Sequence, residues 1–208
     1  FDDSRKPVRE AKHSRRKIVA RYDYTNENGA LLNQKTRWVE DGKKAFTWSH
    51  REGGQWIKGR KGEPTLYNLP VIKGAGCVYV VEGEKDVETL KALHIPAVCG
   101  ADGAGPGKWL SQYTEALRGS HVVVIPDNDD TGRAFAAETA NSLHSVASSV
   151  QVADLLNVWP ELPEHGDTTD IFEKFGKEGV SSILSAAAKA PLWEPTQQPE
   201  TVPEFFDG

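Results

Sequence analysis

The chain has 208 residues, 38% hydrophobic and 26% charged, with a formal net charge of −5. That length serves one sizeable core or two smaller ones, and no run approaches the ~20 uncharged apolar residues of a membrane span, which argues against a membrane-embedded chain and for a cytoplasmic one. The charge is uneven: residues 1–76 hold 17 Lys+Arg against 9 Asp+Glu and residues 77–208 hold 8 against 21, a division that suits a polyanion gripped at one surface and a cation-loaded site at another.

Residues 1–17 are polar and basic without periodicity and read as an arm or linker. From Ile18 to Tyr24 the sequence is β-rich, Asn28-Gly29 is a hairpin turn, and strand character resumes from Leu31 to Val39. Asp41-Gly42 and Gly53-Gly54 are further turns around Ala45–Trp48 and before Trp56-Ile57, so residues 18–74 are expected to form a small, basic, antiparallel β subdomain closed by Leu66-Tyr67-Asn68-Leu69-Pro70.

After Gly74-Ala75-Gly76 the rhythm becomes strand and helix in alternation. Cys77–Val81, Ala97–Cys99, His121–Ile125 and Val150–Val152 read as buried strands. Glu84–His94, Leu110–Leu117, Thr131–His144, Asp170–Phe175 and Val180–Ala188 read as helices, which predicts an α/β domain with a parallel sheet over residues 75–190. Residues 191–208, with four prolines, read as a linker. The lack of methionine, including at position 1, fits a segment of a longer protein. Cys77 and Cys99 lack C-x-x-C spacing and a neighbouring His cluster, which favours buried thiols over structural zinc. The glycines between Gly100 and Gly107 match neither a dinucleotide fingerprint nor a phosphate loop, so no ATPase motor is expected.

In a parallel α/β sheet, functional groups gather at the carboxyl ends of strands. Glu82 directly follows the first of these strands, Asp127 and Asp129 follow the third, and Asp167 and Asp170 follow the fourth after a loop. Crowded carboxylates repel one another unless a cation sits among them, and hard oxygen ligands select Mg²⁺ or Mn²⁺. The acids are therefore a predicted divalent-metal site, and removing one of them is expected to leave melting temperature unchanged or raised.

These residues resemble the Toprim domain shared by primases, topoisomerases and certain nucleases. Its first motif, a strand ending in Glu-Gly with an Asp shortly after, is matched by Glu82-Gly83 and Asp86; its second, Asp-x-Asp with a nearby Gly, by Asp127-Asn128-Asp129 and Gly132. The later acid of primases is matched by Gly166-Asp167-Thr168-Thr169-Asp170, which lacks the family's preceding lysine. Ahead of the Glu-Gly strand, Asn26–Gly29, Arg37, Lys43-Lys44 and Leu66–Leu69 are similar to the nucleotide- and template-binding half of bacterial, phage and plasmid primases.

The resemblance implies a DNA primase catalytic core making short primers on single-stranded DNA by two-metal nucleotidyl transfer. It implies Asp127 and Asp129 as main ligands, Glu82 as ligand or proton acceptor, and Asp167 as auxiliary ligand. Arg37, Lys44 and Lys58 become candidates for nucleoside triphosphates and template phosphates. The basic half is expected to face the acidic site across a cleft, and a replicative helicase, in the same chain or another, is the implied partner. A Toprim-type nuclease and a non-catalytic nucleic-acid-binding or helicase-associated module are the alternatives. The Asp-x-Asp-x-Thr run from Asp127 to Thr131 also fits haloacid-dehalogenase-type phosphatases, but those carry it on the opening strand.

Overall fold

The computed structural model describes residues 16–195. The expected arm and linker at the two ends lie outside the described residues, apart from 16–17 and 191–195. The described residues divide into two compact units, one reaching to Asp23 and resuming over Leu32–Gly62, the other made of Tyr24–Leu31 and the described residues from Glu63 onward.

The first unit is built on a four-stranded sheet in the order β1 (Lys17–Thr25), β2 (Leu31–Glu40), β3 (Lys43–Glu52) and β4 (Gln55–Lys58). The two-residue turns Asp41-Gly42 and Gly53-Gly54, with Asp41 and all three glycines at positive φ, set antiparallel registers that pair Glu40 with Lys43 and Glu52 with Gln55. Arg37 then stands opposite Phe46, and Ser49 opposite Lys58. Because side chains alternate along a strand, Lys35, Arg37, Lys44, Phe46 and Trp48 share one face, while Trp38, Lys43, Arg51, Trp56 and Lys58 share the other. Cations lie over rings on both faces: Lys35 is 4.8 Å from Phe46, and Arg51 is 4.8 Å from Trp56.

The second unit is a parallel sheet in the order β6 (Ala97–Val98), β5 (Val78–Val80), β7 (His121–Val124), β8 (Ser149–Val152). Its helices are α1 (Glu84–Lys91), α2 (Ser111–Ala116), α3 (Asp130–Leu143) and α4 (Thr168–Lys189). The two helices read from 170–175 and 180–188 are the arms of α4, broken at Gly176, whose φ of 66° no other residue type adopts without strain. Val78, Val80, Val122 and Val124 on the sheet pack with Trp109, Tyr113, Phe135 and Leu143 from its flanks. Each such fully buried side chain contributes about 1.5–3 kcal/mol.

The segment read as closing the β subdomain belongs to this second unit. Leu66 and Tyr67 are buried there, and the Tyr67 N–H donates to Cys99 O at 2.9 Å. At the other end the expected linker is packed through Trp193, whose backbone N–H donates to Val150 O at 2.8 Å and whose indole donates to Asn141 at 2.8 Å. Among the described residues no helix is long and apolar enough to cross a membrane.

Candidate functional site

The strand order places β5 and β7 side by side although β6 intervenes in sequence, so the chain leaves these two strands in opposite directions across the sheet. In open α/β sheets functional groups gather at the carboxyl edge beside such a switch point. β5 delivers Glu82 to it and β7 delivers Asp127. The two are in contact: the Asp127 N–H donates to Glu82 Oε1 at 2.9 Å. Gly132, in the first turn of α3, packs directly on this pair. A Cβ there would lie 2.3 Å from Asp127 O and 2.7 Å from Glu82 Oε1, which explains why the second motif needs a glycine.

Burial and the surrounding acids govern the protonation of this group. Desolvation, then the charges of Glu82, Asp86, Asp167 and Asp129, push the Asp127 carboxyl up to about 8. Asp86, 5% exposed, is raised to about 6 by burial and by Asp167, although it accepts hydrogen bonds from the Thr169 N–H at 3.0 Å and the Thr169 hydroxyl at 2.7 Å. Burial also raises Glu82. No other hydrogen bond reaches the Asp127 carboxylate or Glu82 Oε2 among the described residues.

The remaining two predicted ligands are engaged elsewhere. Asp129 is the N-cap of α3: its Oδ1 accepts from the Gly132 N–H at 2.6 Å, and its Oδ2 meets His165 Nδ1 at 2.5 Å. His165 holds the Asp129 carboxylate below its ordinary range, and the Gly132 N–H reinforces this. Asp167 is the N-cap of α4 in a reciprocal capping box with Asp170, and its Oδ2 takes the Lys85 ammonium at 3.2 Å. Among the described residues no three His, Cys, Asp or Glu side chains form a ready-made ion cage.

One loop ties the second and third acidic motifs together through Asn128. Its N–H donates to Gly166 O, its carbonyl accepts from the His165 N–H, and its amide donates to Leu162 O and Pro163 O at 2.9 and 3.1 Å. Sequence reasoning passed over Lys85 and His165 as site residues and named Asp86 only as part of a motif. Lys85 stands between Glu82-Gly83 and Asp86 of the first motif and four-residue spacing could have drawn attention to Asp86, but no local signal marks His165, which reaches Asp129 across a 36-residue separation. Glu84, 6% exposed, accepts from the Tyr24 hydroxyl at 2.6 Å and was likewise not foreseen.

In the first unit, Arg37 and Lys44 lie on one face of the sheet and Lys58 on the other, so the three predicted phosphate contacts do not form one cluster. The Arg37 Nε is buried with no hydrogen-bond partner among the described residues.

The two units together have the Toprim-type α/β fold of primase catalytic cores, an antiparallel sheet preceding a parallel one flanked by helices. In particular, the chain is similar to the zinc-binding and RNA polymerase domains of the Aquifex aeolicus primase, with a TM-score of 0.61 and 21% identity over 85% of this chain and 40% of that one. It is also similar to a DnaG primase catalytic domain bound to single-stranded DNA (TM-score 0.54, 17% identity, 80% of this chain and 52% of that). A third similar structure is the primase fragment of the bacteriophage T7 primase-helicase (TM-score 0.51, 19% identity, 79% of this chain and 61% of that). The chain spans less than two thirds of each of these structures, and at such identities the likeness is one of fold. No protein-family profile matches the sequence, and no curated protein matches it.

Proposed function

We propose that this chain is the catalytic core of a DNA primase, which joins nucleotides into a short primer on single-stranded DNA by metal-dependent nucleotidyl transfer. The observation that carries the reading is the contact between Glu82 and Asp127 at the switch point, with Asp127 pushed up to about 8 by burial and neighbouring acids. A crowded carboxyl of this kind exchanges its proton for a cation, and an all-oxygen donor set fits Mg²⁺ or Mn²⁺. The Asp127 oxygens and Glu82 Oε2 are the natural ligands, with Asp129 as a further one. A bound divalent ion would activate the attacking 3′-hydroxyl and neutralise charge developing on the α-phosphate and the pyrophosphate leaving group.

The protein's own groups would do the rest. Glu82 Oε1 is fixed by the Asp127 N–H, which leaves Oε2 to ligate or to accept the hydroxyl proton. Arg37 and Lys44 would hold triphosphate or template phosphates, and the Arg37 Nε, which has no hydrogen-bond partner among the described residues, is a donor that a phosphate oxygen would satisfy. Lys58 would serve a different stretch of strand. A single-stranded template and a helicase partner follow by analogy with the DnaG and bacteriophage T7 structures.

Incubation with single-stranded template and ribonucleoside triphosphates, set against labelled duplex DNA alone, tests the reading. Primers that depend on Mg²⁺ or Mn²⁺ and vanish in Asp127→Ala support it. Nicked duplex without primers indicates a Toprim nuclease, and neither product indicates a nucleic-acid-binding module.

A further inference from the structure

We infer that Lys85 takes the place of a second cation in the carboxylate centre, so that the free chain holds one divalent ion, at Glu82 and Asp127, and none at Asp167. The inference rests on the metal-dependent reading above and narrows it, since the family resemblance implied two ions.

The oxygen inventory of the third motif carries the argument. Asp167 Oδ1 accepts the Asp170 N–H at 2.8 Å, and Asp170 Oδ2 accepts the Asp167 N–H at 3.0 Å. The Lys85 ammonium meets each remaining oxygen, Asp167 Oδ2 at 3.2 Å and Asp170 Oδ1 at 4.0 Å. Three of the four carboxylate oxygens of the pair are thus hydrogen-bonded, two at the helix start and one to the ammonium, which also stands 4.0 Å from the fourth. An ion binding here would have to expel Lys85 from a position where the Asp167 side chain is only 17% exposed. The Asp127 carboxylate and Glu82 Oε2, by contrast, accept no hydrogen bond among the described residues.

The location of Lys85 is itself unusual. It stands in the first turn of α1, where the helix dipole opposes a positive charge. The acids of α4 offset that cost, because α1 and α4 are held together beside the ammonium. Asp86 accepts from Thr169, and the hydroxyls of Thr89 and Thr169 are 2.9 Å apart. The ammonium thus lies within 4.0 Å of both Asp167 and Asp170. A fixed positive charge at this point does what a second divalent ion does for crowded carboxylates, and it also excludes that ion by repulsion.

Titration of the whole chain with Mn²⁺, followed by calorimetry and by electron paramagnetic resonance, reads the number of ions directly and without turnover. One ion is expected for the native chain and for Lys85→Arg, two for Lys85→Met, and one again for Lys85→Met combined with Asp167→Asn. If Lys85→Met does not fold, Lys85→Gln replaces it, and the native count still decides. Two ions in the native chain, or a single ion in a folded Lys85→Met, overturns the inference while leaving the metal site standing. No ion in any variant overturns the metal-dependent reading itself.

Discussion

The Asp127 backbone N–H donates to the Glu82 carboxylate at 2.9 Å across 45 residues of sequence, and Gly132 closes over the bond so tightly that a Cβ would stand 2.3 Å from the Asp127 carbonyl. The obstructing atom is main chain at the end of a buried strand and has little room to yield. Gly132→Ala should therefore cost about 3 kcal/mol, the order seen when a core is overpacked. Thermal unfolding should show a fall of roughly 6–12 °C for a chain of this size. A variant as stable as the native chain would mean that α3 shifts freely against the site.

Asp127 is a destabilising residue in the metal-free protein. Its carboxyl rises from an ordinary 3.8 to about 8 on folding, so between those values the folded chain binds the extra proton. Stability must then fall as pH rises from about 4 to about 8, and Asp86, raised to about 6, adds to the lower part of the slope. Asp127→Asn should flatten this dependence. With the relief discounted for solvent screening to ~2 kcal/mol, the variant should melt about 4–8 °C above the native chain at the alkaline end and show little difference at the acid end. Added Mn²⁺ should raise the melting temperature of the native chain but not of the variant.

Asp129 behaves in the opposite sense. Both acids were expected to relieve repulsion when removed, but Asp129 caps α3 and pairs with His165. Asp129→Ala should lose about 1 kcal/mol with the cap. Its melting temperature should drop by roughly 2–4 °C where that of Asp127→Asn rises. Both variants should lose primer synthesis, so calorimetry distinguishes two acids that an activity assay does not.

Arg37 and Lys44 share a sheet face that Lys58 does not. If single-stranded DNA runs along that face, Arg37→Glu and Lys44→Glu should each flatten the log–log salt dependence of binding by about 0.7, the value of one phosphate contact on a single strand. Lys58→Glu should leave the slope unchanged. Equal effects from all three, measured by fluorescence anisotropy at several salt concentrations, would require a strand that crosses both faces.

The architecture was legible because it is written in local pattern. The runs Cys77–Val81 and His121–Ile125 are apolar because both faces of a parallel sheet are covered, and Gly176 interrupts a helical period at the point where α4 bends. The order of acids after strands foretold Glu82 and Asp127 at one edge. Even the separation of Lys58 from Arg37 and Lys44 was present, since the two-residue turns at Asp41-Gly42 and Gly53-Gly54 fix which residues stand opposite one another. Tertiary structure alone decided the allocation of oxygens within the site. Asp129 could have faced a cation or a helix N-terminus, Asp167 a cation or Lys85, and every acid in the motifs is chemically equivalent when read along the chain. The choice depends on which donors 36 to 82 residues away arrive within about 3 Å, as His165 and Lys85 do, and periodicity carries no information about such distances.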